Sequence, residues 1–281
     1  MKDFITKNLV VGVYTNKDKY LNRFVESFNR LYPEVELIYN VYDAPISNNM
    51  EILRRDFKKT GKRYWVFLDD DILFCHDDTL KIALKSLIDN KCALTTTYQI
   101  TDFNLKNLIK NKDLEFRQIL WSAGYFMLVD SEQIGDIEFD RSLPTSHGSL
   151  ADIEYCMNLH SRGYKIGISP TYIYHEDDGF SGKIGKFDIE NADIKEVNKN
   201  VNHFFKHLDK SLFYNQREMK VVFKGDGSIH KDQTIGHHYL KYKYPTLYKK
   251  FFNDKNLNHL KKVIKQNPIL NKATMPSYID N

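Results

Sequence analysis

In the stretch YWVFLDDDILFCHDD, Tyr64 to Asp78, five acidic residues bracket a strongly apolar run. Residues of strand-forming type lead directly into Asp69, Asp70 and Asp71. Three adjacent carboxylates repel one another, so the arrangement needs a reason. In open α/β sheets ligands bind beyond the carboxyl ends of the strands. Residues two apart in an extended chain share a side, so Asp69 and Asp71 converge on one point, with Asp70 turned away to brace the turn. A hard divalent cation with oxygen ligands, Mg²⁺ or Mn²⁺, suits that pair. The alternative is that the carboxylates cap the next helix. One or two Asp would serve there, and Asp77 and Asp78 lie nearer its start.

The elements that must position this cluster alternate along the chain. LVVGVYT (residues 9–15) reads as a buried strand. Tyr20, Leu21, Phe24, Val25, Phe28 and Leu31 then recur at helical spacing, and Pro33 ends that helix. VELIYNVY is a second strand, NNMEILRRDFKKTG a second helix stopped by Gly61, and YWVFL a third strand. TLKIALKSLIDN is a helix and CALTTTYQI a fourth strand. Further on, WSAGYFMLVD (Trp121 to Asp130) is strand-like and SLADIEYCMNLHSRG is a helix closed by Gly163. YKIGISPTYIYH is a strand pair or one kinked strand, because Pro170 interrupts it. Such alternation predicts an α/β fold with a mainly parallel central sheet flanked by helices.

The 281 residues suit one large domain, or a domain with an appendage. Apolar residues make up 42% and charged residues 28%, as in soluble globular chains. Cys75, Cys92 and Cys156 are odd in number and widely spaced, which argues against a disulfide framework and for a reducing compartment. The first residues lack a signal-type apolar run, and no window approaches a membrane span, so a cytoplasmic protein is expected. The net charge of +4 hides an asymmetry: residues 201–281 carry +9 and residues 1–200 carry −5. The expected division is a catalytic domain over 1–200 and a basic, mostly helical extension over 201–281.

Two other acidic sites fit less well. A phospho-acceptor receiver domain needs acidic residues after its first strand, where this chain reads YTNKD. A haloacid-dehalogenase-type phosphatase needs DxDxT on the first strand, whereas DDDIL stands on the third.

With those set aside, the chain resembles the GT-A glycosyltransferases, in particular the family 2-like enzymes, over about residues 8–178. FLDDDI is similar to that family's DxD motif. WSAGYFMLVD is similar to its acceptor-side strand, and ADIEYCMNLHSRGYKIGISPTYIYHED to its acidic residue, helix, Gly-Tyr, strand, Pro and terminal His. The resemblance implies that Asp69 and Asp71 hold Mn²⁺ or Mg²⁺ on the diphosphate of a nucleotide sugar, a UDP-sugar first among the candidates, with His175 as third ligand and Asp70 beside them. It implies that Asp152 is the general base of an inverting hexosyl transfer. The family often has Glu-Asp where this chain has Ala151-Asp152, so Glu154 is a rival base. On the donor side it implies Thr15, Asn40 or Asp43 near the base, Arg54 or Arg55, and Gly124 for close backbone approach.

HEDDGFSGKIGKFD is a surface loop or a lid over phosphates, with Gly179, Gly182, Gly185, Lys183 and Lys186. HHYLKYKYPTLYKKFF interleaves aromatics with lysines. It suits an amphipathic helix packed on the catalytic domain, a contact with anionic lipid or a lipid-linked acceptor, or nucleic acid. His230, His237 and His238 are candidates to complete the metal or diphosphate site from the tail. The acceptor is accordingly a glycan, a lipid-linked sugar or a modified nucleic-acid base. A nucleotide- or nucleic-acid-binding module without catalysis is the competing class. A nucleotidyltransferase ranks lower, because VYTNKDKYLN lacks its Gly-rich loop.

Overall fold

The computed structural model describes residues 2–15, 18–41, 46–74, 76–100, 114–143, 150–175 and 239–251. Eight strands form one sheet: β1 (Leu9–Thr15), β2 (Glu36–Val41), β3 (Tyr64–Asp69), β4 (Ile72–Phe74), β5 (Leu94–Ile100), β6 (Arg117–Gln118), β7 (Phe126–Asp130) and β8 (Ile166–His175). Their order is β2-β1-β3-β7-β5-β8-β4, with β6 paired to β8. The helices are α1 (Lys2–Asn8), α2 (Asp18–Leu31), α3 (Ile46–Thr60), α4 (Thr79–Asp89), α5 (Ser131–Ile134), α6 (Ala151–Ser161) and α7 (Pro245–Phe251). Residues 239–243 are also helical.

The fold is α/β, with a mainly parallel sheet flanked by helices. β1, β2, β3, β5 and β8 run one way, and β7, β4 and β6 run against them. The unbroken apolar runs of β1 and β3 reflect burial on both faces. Leu9, Val11, Val13, Val66 and Leu68 face one core with Phe24 and Phe28 of α2 and Leu84 of α4. Val10, Tyr14, Trp65 and Phe67 face the other with Leu53 and Phe57 of α3 and Tyr155 of α6. Strand alternation thus points the residues in register with Phe67, including Asp69, toward the α3 and α6 side.

Two local readings change, and a third is decided between its two alternatives. Asp70 and Asp71 form a turn between β3 and the short β4, so side alternation ends at Asp69. Only Phe126–Asp130 of the WSAGYFMLVD stretch is strand; Trp121–Tyr125 is irregular, and the Tyr125 carbonyl accepts the Asp69 amide at 3.4 Å. The segment around Pro170 is one strand with a slip: Ser169 pairs with Thr97, yet Tyr172 pairs with Tyr98. Pro170 has no N–H for the ladder, so the break falls there.

The tail residues 239–251 join a third core cluster. Tyr239, Leu240 and Phe251 pack with Leu120, Leu143, Ala151, Ile153 and Met157. Of the three roles expected for this aromatic-lysine stretch, packing on the rest of the chain is the one the described residues display. No helix among them is long and apolar enough to cross a membrane.

Candidate functional site

The chain leaves β1 for β2 on one side and returns to β3 on the other. The carboxyl ends of β1 and β3 therefore flank a topological switch point, where open α/β sheets leave a crevice. Tyr14 and Asp69 are register partners there. The Tyr14 hydroxyl donates to Asp69 Oδ1, and the Thr15 hydroxyl to Asp70 Oδ2. Tyr14 and Thr15 are neighbours along β1 and point to opposite sides, so Asp70, bonded to Thr15, is turned to the other side from Asp69. Asp71 is buried.

The electrostatics are those of crowded carboxylates. Burial, with the charges of Asp71 and Asp69 added, pushes the Asp70 carboxyl up to about 7, against the Thr15 hydrogen bond. Burial and then the charges of Asp69, Asp152 and Asp71 hold the Tyr14 phenol well above its usual range.

Asp152 reaches this point from the first turn of α6. Its Oδ2 accepts the Gly124 amide at 3.0 Å and its Oδ1 the Ile153 amide at 2.8 Å. Burial raises its carboxyl to about 6, with the two amides pulling the other way. A Cβ built on Gly124 would stand 3.5 Å from the Tyr14 hydroxyl and 4.0 Å from Asp152 Oδ2. Tyr14 bonds Asp69, Gly124 bonds Asp152, and the Tyr14 hydroxyl lies near the point where a side chain on Gly124 would begin. Those distances are ordinary van der Waals contacts, so what Gly124 supplies here is its amide.

Glu154 lies elsewhere. Two helical positions from Asp152, it looks to another face of α6 and is 1% exposed. Its Oε1 accepts from Lys243 Nζ at 2.8 Å and from the Tyr244 hydroxyl at 2.6 Å. Arg54 is 2% exposed and forks onto Glu51 at 2.7 and 2.9 Å, with Glu138 at 3.1 Å. Arg55 also donates to Glu51, at 2.9 Å. Both guanidinium groups thus serve an ion cluster on α3, and Arg54 has no face open to a donor.

Asn40 pairs with Tyr14 in the β1–β2 register, so its backbone stands at the same edge. His175 pairs with Ile72, the first residue of β4 after the turn that holds Asp71. Asp43, Lys183, Lys186, Gly179, Gly182, Gly185, His230, His237 and His238 lie outside the described residues.

Among the described residues, no group of three or more His, Cys, Asp or Glu is placed to hold a metal ion by itself. The donor chemistry still fits one. Mg²⁺-type sites use one or two carboxylates and complete their shell with substrate phosphates and water, and Asp69 and Asp71 offer such a pair of hard oxygen donors. Tyr14 is the site residue that pattern reading missed. It closes an apolar run and looks like core; only its hydroxyl, at the strand's carboxyl end, hinted otherwise.

No family model matches this sequence, and no curated protein matches it. Among solved structures, the chain is similar to S. aureus TarS 1-349, with TM-score 0.43, 11% identity, and 92% of this chain and 91% of that one covered. It is similar to the mannosyltransferase PcManGT from Pyrobaculum calidifontis, solved with GDP-Man and Mn²⁺, with TM-score 0.45, 10% identity and coverages of 93% and 81%. It is also similar to A197 from STIV, with TM-score 0.42, 13% identity and coverages of 57% and 81%.

Proposed function

We propose that this chain is a metal-dependent glycosyltransferase of the GT-A type. It would move a sugar from a nucleoside diphosphate sugar to an acceptor hydroxyl with inversion. The observation that supports the reading is the pair of hydrogen bonds at the β1/β3 switch point, Tyr14 to Asp69 and Gly124 to Asp152, with the Tyr14 hydroxyl near Gly124. Asp69, the residue the resemblance gives to the donor side, and Asp152, a carboxylate of raised basicity, support that reading.

Asp69 and Asp71 are the residues that would hold Mn²⁺ or Mg²⁺, with His175, whose backbone pairs with that of Ile72, as the third ligand the resemblance implies. Such an ion supplies charge stabilisation for the departing diphosphate. Tyr14 holds Asp69 in place, and Thr15 does the same for Asp70. The acceptor hydroxyl oxygen attacks the anomeric carbon, the bond from that carbon to the diphosphate oxygen breaks, and the hydroxyl proton passes to Asp152. The Gly124 and Ile153 amides orient that carboxylate. Of the two rival bases Asp152 is the better placed, because Glu154 is committed to Lys243 and Tyr244. Cytoplasmic residence accords with a nucleotide-sugar donor.

Calorimetric titration of UDP, GDP and dTDP, with and without Mn²⁺, tests the donor site, followed by a sugar-nucleotide hydrolysis screen. Metal-dependent binding of one nucleotide, lost in both Asp69→Ala and Asp71→Ala, is the expected result. Binding that ignores the metal or survives both substitutions overturns the assignment.

A further inference from the structure

We infer that Lys243 is a positioning residue, clamping the first turn of α6 so that Asp152 stays on the Gly124 amide. The inference rests on the reading of Asp152 as the base for its catalytic meaning, and on the geometry alone for the clamp.

Glu154 stands in the same turn as Asp152 and Ile153. A buried carboxylate is costly unless paired. Glu154 Oε2 is buried and makes no hydrogen bond, so all its pairing falls to Oε1, which takes Lys243 and Tyr244 from the tail. The same Lys243 ammonium reaches Asp140 Oδ2 at 2.7 Å, and the Tyr239 hydroxyl bonds that oxygen too. One cation thus ties α6 to the segment that precedes it. It also lies 5.6 Å from the centre of the Tyr239 ring and 5.3 Å from that of Tyr244, within cation–π range. Burial works against its charge, but Glu154, Tyr239 and Asp140 outweigh that and hold Lys243 protonated. Burial also pulls Asp140 upward, yet Lys243 and its hydrogen bonds keep that carboxyl below its usual range.

The turn needs holding. Leu150, which precedes α6, has φ +74°, a left-handed conformation that a branched side chain resists, and it gives the helix no side-chain cap. Such a residue persists where tertiary contacts over-determine it. Leu150 packs against the cluster that joins Tyr239, Leu240 and Phe251 of the tail to Leu120, Leu143, Ala151 and Ile153. Release of Lys243 leaves two carboxylates with no shared cation and lets the turn relax. Asp152 then moves relative to Gly124.

The test uses the full chain carrying Lys243→Met, Lys243→Arg or Tyr244→Phe, the last a milder release from the same oxygen. Amide hydrogen exchange at Gly124 and Ile153 reads the clamp without needing turnover. Lys243→Met should speed both amides by about tenfold or more and leave the β1–β3 amides unchanged. The kcat for sugar transfer should fall by about tenfold to a hundredfold, as for a displacement on the order of 1 Å, with donor KM moving less than about threefold. Lys243→Arg should restore both, and Tyr244→Phe should give a smaller change in the same direction. Unchanged exchange at Gly124 and Ile153 overturns the inference. So does a uniform rise across the whole chain, which marks the tail as a general stabiliser. If the wild-type chain transfers no sugar from any donor yet the two amides respond, the proposed function fails and the clamp stands.

Discussion

The Tyr14 hydroxyl donates a hydrogen bond to the Asp69 carboxylate across the carboxyl ends of β1 and β3. Tyr14→Phe keeps the buried ring and removes only the donor. A hydrogen bond to a charged group contributes about 1.5–3 kcal/mol. Mn²⁺-dependent nucleotide binding should therefore weaken by about tenfold to a hundredfold, as read by calorimetry. Undiminished binding would remove Tyr14 from the site.

Asp152 has a carboxyl raised to about 6, chiefly by burial. A base acts in its unprotonated form, so kcat/KM should climb as pH rises through about 6 and level off above it. Asp152→Asn should lose that limb and about a hundredfold or more of turnover. Donor binding should survive, and its loss would move Asp152 to the donor side.

Arg63 forks onto the buried Asp130 at 2.9 and 2.8 Å. Burial alone would raise the Asp130 carboxyl, but Arg63 and Gln133 outweigh it, and the net direction is down. A native value below the unfolded one stabilises the fold above the unfolded value, about 4. That stability fades as pH falls through the lower, native value. Arg63→Ala should cost about 1.5–3 kcal/mol at pH 7, measured by urea unfolding. It should also flatten the loss of stability on acidification, since Asp130 no longer has a depressed value to lose.

Gly12 in β1 lies under α3. A Cβ there would stand 2.3 Å from the Phe57 ring and 2.7 Å from Leu53. Both are buried and packed, so neither yields freely. Gly12→Ala should destabilise by about 1–3 kcal/mol through overpacking, seen as a lower urea midpoint with an unchanged slope.

Local pattern made much of this legible. The apolar runs of β1 and β3, the helical spacing in α2 and the Gly61 stop are set by residues within a few positions of one another. Gly61 does adopt φ +68° at the end of α3. The tail stretch does pack as an amphipathic segment. The placing of carboxylates at a strand end was equally plain, because charge cannot continue a buried strand.

Spatial partners were not legible. Alternation put Asp70 on the far side from Asp69, and the two do bond β1 neighbours that point to opposite sides, but nothing in the pattern named Tyr14 and Thr15 as those partners. Asp152 and Glu154 are equivalent as first-turn acids of α6. The amide of Gly124 claims one, and Lys243, 89 residues further along the chain, claims the other. Tyr14 looked like core because its ring is core; its hydroxyl acquires a role only when β3 is laid beside β1. The sequence by itself determined which segments are strands and helices and that acidic residues gather where a strand ends, since both follow from short-range periodicity and solvation. Tertiary structure alone decided which carboxylate takes the Gly124 amide and which anchors the tail. That choice depends on contacts between residues far apart in the chain, which no local pattern encodes.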